Sequence, residues 1–290
     1  MRIRRPAVVA LLALALAGCS GGTASPGGAA SGVPSPAQTV TAAATPAVAT
    51  PAAPAELTIY AAASLKGALE KAKTAYAAAV TGTTLTISTD SSATLETQIE
   101  QGARADVFLS ADTKNPQKLV DGGFASGDLV PFAGNRLTVV VPADNPANLK
   151  TPADLARAGV KVIAAGDDVP ITKYANQLVA NLAKEPGYPA DFAAAYARNI
   201  VSKEDNAKAL IAKIELGEGD AGIVYVTDAK ASAKVATIGV PDAANVPATY
   251  AGVVVRDSAN APAAAAFLDW LAGPDGQTIL AGFGFLPASG

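Results

Sequence analysis

The chain has 290 residues, half of them apolar and 16% charged, with a net charge of −3. It contains no histidine and one cysteine, which excludes an internal disulfide bond and a Ser-His-Asp triad and leaves a zinc site of the usual His/Cys type almost without ligands. The acidic balance, without basic runs, argues against a nucleic-acid partner.

Residues 1–18 have the pattern of a secretory signal peptide. Arg2, Arg4 and Arg5 precede an apolar run that is too short to span a bilayer. The stretch "LAGC" that ends at Cys19 resembles the lipobox of bacterial lipoproteins. The resemblance implies cleavage before Cys19, a lipid on its sulfur, and an extracytoplasmic protein anchored to the cell membrane. An ordinary secretory signal with an incidental cysteine is the alternative.

Residues 19–56 are predicted to form a disordered tether behind the lipidated cysteine. The segment is rich in Pro, Ala, Ser and Thr, has no aromatic residue, Leu or Ile, and carries no charge before Glu56. Such a composition cannot bury enough apolar surface to offset the entropy of ordering.

From residue 57 onwards, strands alternate with helices. Hydrophobic patterns predict strands at 57–62, 84–88, 105–110, 135–142, 160–165, 221–226, 234–240 and 251–255. They predict helices at 65–80, 93–102, 113–121, 171–183, 206–217, 261–272 and 275–281. This alternation favours parallel α/β sheets. We expect 137–141 and 251–255 to cross as a pair between two lobes.

Two strand-to-helix junctions carry serines. Ser64 follows the first predicted strand, and Ser91 and Ser92 follow the second. Helix N-termini expose unpaired N–H groups and the positive end of the helix dipole, so a hydroxyl and small residues there suit a bound anion. The alternative for each serine is a plain helix N-cap.

Several motifs resemble the substrate-binding proteins of bacterial molybdate ABC transporters. They are "YAAASL" (60–65), "SSATLETQIEQGARADVFLSAD" (91–112), "NRLTVVVP" (135–142), "VPITKYA" (169–175), "GEGDAGIVYVTDA" (217–229) and "FGF" (283–285). The resemblance implies a two-lobed type II periplasmic-binding-protein fold, each lobe a mostly parallel sheet flanked by helices, with crossing strands between them. Lobe 1 would comprise 57–140 and 252–290, and lobe 2 would comprise 141–251.

The resemblance also implies a ligand site. Ser64, Ser92 and Tyr225 match the family's hydroxyl donors, while Ala207 and Ile171 match positions that donate a backbone N–H; Ser91 is a neighbour of Ser92 or its substitute. Isoleucine at 171 departs from the small residue usual there. The implied ligand is molybdate or tungstate, bound by a monomer that is not an enzyme, without a cofactor or a protein-coordinated metal, and delivered to a membrane permease.

Two other functions stay open. One is a receptor for another tetrahedral oxyanion, such as sulfate or phosphate; a phosphate receptor needs a hydrogen-bond acceptor, and none of the five matched residues is a carboxylate. The other is a lipid-anchored hydrolase that uses Ser64 or Ser92. It lacks a histidine base, and neither serine stands in a G-x-S-x-G or S-x-x-K motif.

Overall fold

The computed structural model describes residues 54–288, and within them the chain forms ten strands and nine α-helices. The strands are β1 (Ala55–Ala62), β2 (Thr83–Asp90), β3 (Val107–Ser110), β4 (Val130–Asn135), β5 (Leu137–Pro142), β6 (Val162–Ala165), β7 (Ile200–Glu204), β8 (Ala221–Tyr225), β9 (Val235–Ile238) and β10 (Ala248–Val254). The helices are α1 (Lys66–Ala79), α2 (Ser92–Glu100), α3 (Lys114–Asp121), α4 (Pro170–Leu182), α5 (Phe192–Asn199), α6 (Ala207–Glu215), α7 (Val226–Lys230), α8 (Ala261–Ala272) and α9 (Pro274–Gly282).

The predicted signal peptide, Cys19 and most of the predicted tether lie outside the described residues. The first strand begins at Ala55, two residues before the predicted start of the fold. In the part of the chain that the structure describes, no helix has both the length and the apolar character needed to cross a membrane.

The strands form two five-stranded sheets. Sheet 1 has the order β2-β1-β3-β10-β4, and sheet 2 has the order β7-β6-β8-β5-β9. In both sheets the pairs among the first three strands are parallel, and the other two pairs are antiparallel. Each sheet is therefore mixed rather than mostly parallel. The two-lobed α/β architecture predicted from the sequence is confirmed.

The chain passes between the sheets at two places. Only Arg136 separates the end of β4, in sheet 1, from the start of β5, in sheet 2. The return lies between Ile238, where β9 ends, and Ala248, where β10 begins. The two segments expected to cross between the lobes, 137–141 and 251–255, lie in β5 and at the end of β10, the strands that follow these two passages. The lobe boundaries at 140 and 251 stay a prediction.

Four elements were not predicted, namely β4, α5, β7 and α7. Strands β4 and β7 are edge strands, and Pro131 and Gly134 within β4 are residues that weaken strand propensity. Strand β7 has no fully buried residue, so it lacks the apolar run that marks a strand. Tertiary pairing, rather than local pattern, forms these elements.

Packing of α1 against α8 fixes one side of sheet 1. Leu69 and Tyr76 of α1 are buried, and the Tyr76 ring lies 5.1 Å from the Phe267 ring and 5.0 Å from the Trp270 ring, centroid to centroid. Just before α1, a single 3-10 turn spans Ala63–Leu65, and Leu65 is fully buried. Ser64, the middle residue of this turn, is thereby held at the carboxyl end of β1.

Candidate functional site

The two serine junctions of sheet 1 lie side by side. Ser64 follows β1 and Ser92 opens α2 directly after β2. The two strands are parallel neighbours, and the register pairs their last residues, Ala62 and Asp90. Because parallel strands end at the same edge of a sheet, the two hydroxyls reach the same place.

Sheet 2 repeats this arrangement. Ile171 lies in the first turn of α4, which follows β6, and Ala207 is the first residue of α6, which follows β7. Tyr225 is the last residue of β8. The three positions therefore stand at the carboxyl ends of the three parallel strands of sheet 2.

One small cavity brings all five predicted residues together. It is bordered by segments of both sheets, and the centre of a water-sized sphere can move through about 10 Å3 of it. Its lining residues are Ala62, Ala63, Ser64, Asp90, Ser91, Ser92, Ala111, Val169, Pro170, Ile171, Asn206, Ala207 and Tyr225. Their role as ligand donors stays a prediction.

Each of the two serine hydroxyls has one protein partner within the described residues. The backbone N–H of Ala111 donates to Ser92 Oγ over 3.1 Å, so the O–H of Ser92 remains free to donate. Ser64 Oγ lies 3.0 Å from the hydroxyl of Tyr250. Neither side chain caps its own helix, since no side-chain cap bond is present at the 3-10 turn Ala63–Leu65 or at α2. The plain N-cap alternative for these serines is therefore not what the structure shows.

Two hydroxyls at the cavity are buried without a hydrogen-bond partner among residues 54–288, those of Tyr225 and Ser91. Tyr225 is 1% exposed. Burial, reinforced by the neighbouring Tyr250, raises its pKa well above the usual tyrosine value, so its hydroxyl stays protonated and can donate. A buried unpaired hydroxyl costs about 1–3 kcal/mol, and a ligand that accepts its hydrogen bond would remove that cost.

Backbone amides at the starts of α4 and α6 complete the donor set. Pro170 opens α4 without an N–H, which makes the amide of Ile171 the first free donor of that helix. The Asn206 side chain caps α6 by accepting from the amide of Ala209, and the amide of Ala207 is left without an intrahelical acceptor. The Ile171 residue itself is buried in the apolar core.

The described lining of the cavity includes an acidic side chain but no basic one. No lysine or arginine is among the described residues that line it, and one lining residue, Asp90, is acidic. Asp90 Oδ1 accepts from the amide of Ser91 over 2.7 Å and from Asn206 Nδ2 over 3.1 Å. The second bond joins Asp90 of sheet 1 to Asn206, which lies just after strand β7 of sheet 2. The sequence reasoning missed it because the partners are 116 positions apart.

No resident metal site accompanies the cavity in the described part of the chain. Among residues 54–288, no group of three or more His, Cys, Asp or Glu side chains could hold a metal ion. The exposed side chain of Lys173 borders a wider cleft that shares Val169 and Pro170 with the small cavity, but Lys173 itself does not line the small cavity. The donors of the cavity are thus neutral hydroxyl and amide groups.

Comparisons with known proteins place the chain in a family. The family model described as "Bacterial extracellular solute-binding protein" matches residues 57–286. The molybdate-binding protein ModA of Mycobacterium tuberculosis H37Rv is 31% identical over 230 residues, covering 79% of this chain and 84% of that protein. A putative ABC transporter substrate-binding lipoprotein of Bacillus subtilis, YvgL, is 30% identical over 231 residues, covering 79% and 85%. The periplasmic molybdate-binding protein of Azotobacter vinelandii matches in structure with a TM-score of 0.68 and 25% identity, over 80% of this chain and 100% of that one.

Proposed function

The chain belongs to the bacterial extracellular solute-binding proteins, and we propose that it binds molybdate in the cavity between its two sheets and delivers it to an ABC permease. The relative from M. tuberculosis is named for molybdate binding and the relative from B. subtilis for ABC transport. We extend the proposal to tungstate, since tungstate has the same charge and nearly the same size.

The observation that carries the proposal is the unpartnered hydroxyl of Tyr225 in a cavity already lined by Ser64 and Ser92. A buried donor without an acceptor is rare in folded proteins. The three hydroxyls and the amides of Ile171 and Ala207 converge from both sheets, and a tetrahedral oxyanion offers an acceptor to each of them.

Neutral donors are sufficient to hold a dianion in this position. Hydrogen bonds to a charged group are roughly twice as strong as neutral ones, and helix N-termini add the favourable end of their dipoles. None of the proposed donors changes charge near neutral pH, so binding needs no coupled protonation of these groups. Because each sheet supplies part of the set, the ligand favours the closed arrangement of the lobes, and we infer that the permease recognises that form.

The phosphate alternative gains one specific observation from the structure. Asp90 lines the cavity, and its carboxylate is an acceptor of the kind that a protonated phosphate needs. The hydrolase alternative gains none, because the polar side-chain partner of Ser64 is the Tyr250 hydroxyl, whose pKa burial raises well above the usual tyrosine value. At neutral pH that hydroxyl is protonated and is not a competent base.

Calorimetric titration of the purified, chelator-treated protein with molybdate, tungstate, sulfate and phosphate tests the proposal. We expect molybdate and tungstate to bind tightly and to compete. Sulfate is smaller, so donors fixed on two sheets cannot all reach it, and it should bind far more weakly. Equal affinity for sulfate and molybdate, a preference for phosphate, or a need for added divalent cation would each reject the assignment.

Serine substitutions test the donors separately. Ser64→Ala and Ser92→Ala should each lose one hydrogen bond to a charged group, worth about 1.5–3 kcal/mol, which is a loss of roughly 10- to 150-fold in affinity. Ser88→Ala is the matched control, because Ser88 lies on the same strand as the second junction but is exposed. Unchanged molybdate affinity in both cavity variants would remove these serines from the site.

The anchoring proposal rests on the sequence around Cys19. We infer a receptor that acts as a monomer and is held to the outside of the cell membrane by a lipid on Cys19. The B. subtilis relative carries the word lipoprotein in its name, which supports this topology.

A further inference from the structure

A chain of buried polar side chains lies next to Ser64 and is not part of the cavity lining. The hydroxyl of Tyr250 is 3.0 Å from Ser64 Oγ, and Asn135 Nδ2 is 3.3 Å from the same Tyr250 hydroxyl. Asn135 Nδ2 also lies 2.8 Å from Thr227 Oγ1. Tyr250 is fully buried, and Asn135 and Thr227 are 1% and 4% exposed. Because they are buried, each of these groups depends on its protein partners for hydrogen bonds.

The direction of the hydrogen bonds along this chain follows from one fixed donor. The backbone N–H of Arg136 donates to Asn135 Oδ1 over 2.9 Å. A backbone N–H can only donate, so this bond assigns the amide oxygen of Asn135 and leaves its NH2 group facing Tyr250 and Thr227. Since an amide NH2 can only donate, the oxygen of Tyr250 accepts from Asn135.

The single proton of Tyr250 must then go elsewhere, and Ser64 Oγ is the acceptor within reach. Burial raises the pKa of Tyr250 well above the usual tyrosine value, so that proton is present at neutral pH. Once Ser64 Oγ accepts from Tyr250, its own proton cannot point back along the same bond. It is left to point towards the cavity that Ser64 lines.

We propose that Asn135 and Tyr250 are positioning residues that aim the Ser64 hydroxyl proton at the bound oxyanion. This inference rests on the proposed function and adds two residues that touch no ligand. Asn135 is the last residue of β4, immediately before the chain crosses to sheet 2, and Thr227 follows the donor Tyr225 on the other side. These hydrogen-bonded side chains therefore connect Ser64, at sheet 1, to Thr227, which follows Tyr225 of sheet 2, and Asn135 between them stands where the polypeptide crosses between the sheets.

Tyr250→Phe should reduce molybdate affinity by about three- to tenfold. Without the tyrosine hydroxyl, Ser64 can still donate, but its O–H is free to rotate among several staggered orientations and loses the strengthening that a neighbouring bond confers, roughly 10–30% per bond. The loss should be smaller than that of Ser64→Ala, because the donor itself is retained.

The decisive readout is a double-mutant cycle with Ser64→Ala, measured by calorimetry on the purified full-length protein. If Tyr250 acts through Ser64, Tyr250→Phe should change affinity by no more than about twofold when Ser64 is already alanine. A merely structural role would instead give the same fold loss in both backgrounds. Tyr76→Phe is the matched control, since Tyr76 is also buried but packs against Phe267 and Trp270; it should leave affinity unchanged.

Asn135→Asp is a second variant of nearly the same size. Its carboxylate keeps the bond from Arg136 but can only accept, so Tyr250 would donate to it and Ser64 would donate to Tyr250 instead of to the ligand. We expect a loss larger than that of Tyr250→Phe. The part of the affinity loss caused by the new charge should persist when Ser64 is alanine, whereas the part caused by the reversed Ser64 hydroxyl should vanish.

The wild-type titration separates the two proposals. If wild type binds another anion of the panel better than molybdate, the molybdate assignment fails and the cycle is run with that anion. Tight wild-type binding together with additive losses, or with no loss in Tyr250→Phe, overturns the positioning role alone. No wild-type binding to any of the four anions overturns both.

Discussion

Removing the Tyr225 hydroxyl should change stability and affinity in opposite directions. Tyr225→Phe deletes one oxygen that is buried and unpartnered among residues 54–288 and keeps the ring. That ring packs edge-on against Tyr174 at 6.3 Å and against Tyr250 at 5.6 Å, centroid to centroid. The substitution therefore leaves the packing intact and isolates the contribution of the hydroxyl.

Both magnitudes follow from the environment of the hydroxyl. In the closed arrangement without ligand, the unsatisfied group costs about 1–3 kcal/mol, so the phenylalanine variant should be more stable by up to that amount. For a folded part of this size, each 1 kcal/mol raises the melting temperature by about 2–4 °C. With molybdate bound, the wild-type hydroxyl donates to a dianion, and its removal should weaken binding by roughly 10- to 150-fold.

Thermal denaturation with and without molybdate, combined with calorimetric titration, measures both effects on one pair of proteins. Tyr196→Phe serves as the control, because Tyr196 is also buried but does not line the cavity; its molybdate affinity should equal that of wild type. A Tyr225→Phe variant that binds molybdate as tightly as wild type would show that Tyr225 is an ordinary core residue. A variant less stable without ligand would refute the assignment of its hydroxyl as an unsatisfied donor.

Three further predictions concern other residues. Burial raises the pKa of Asp228 to about 7 from 3.8, so the stability that its protonated form contributes is fully present below about pH 4 and is lost as the pH rises towards 7. At pH 8, Asp228→Asn should be more stable than wild type by up to about 4 kcal/mol in denaturant titrations. A wild-type stability that does not change with pH would contradict this. Asn206→Asp keeps the cap of α6 but places a second carboxylate against Asp90, so molybdate should dissociate faster in stopped-flow measurements. Adding Asp90→Asn should restore the wild-type rate, because the amide at 90 then donates the hydrogen bond to the carboxylate at 206. Cys19→Ala should move the protein from the membrane fraction to the soluble fraction with molybdate affinity unchanged, and continued membrane association would count against the lipid anchor.

The sequence predicted what local patterns encode. The strand-to-helix junctions at Ser64 and Ser92 could be predicted because a buried run, small residues and an amphipathic helix follow one another within a short stretch. The resemblance supplied Tyr225, and the structure places it at the same cavity. The edge strands β4 and β7 were not predictable, because their pairing partners rather than their own residues make them strands.

Residues that act across long separations were also beyond the sequence. Tyr250 lies 186 positions from Ser64, and Asn206 lies 116 positions from Asp90. A tyrosine in a buried strand and an aspartate beside two serines have ordinary readings as core and turn residues. Only the fold shows that Tyr250 contacts Ser64 at the cavity and that Asp90, in sheet 1, accepts a hydrogen bond from Asn206 next to sheet 2.

Two of the five proposed donors are backbone amides, which no residue type marks in a sequence, so only the family resemblance pointed to them. At Ile171 the chain departs from the small residue that the family resemblance implies, yet the structure gives the side chain a place in the apolar core while the amide keeps its position in the first turn of α4. Any residue except proline can supply that N–H. The hydroxyl donors have no such freedom, since each depends on its own oxygen. Substitutions at 171 should therefore affect affinity through packing and cavity size, whereas substitutions at Ser64, Ser92 and Tyr225 should remove hydrogen bonds.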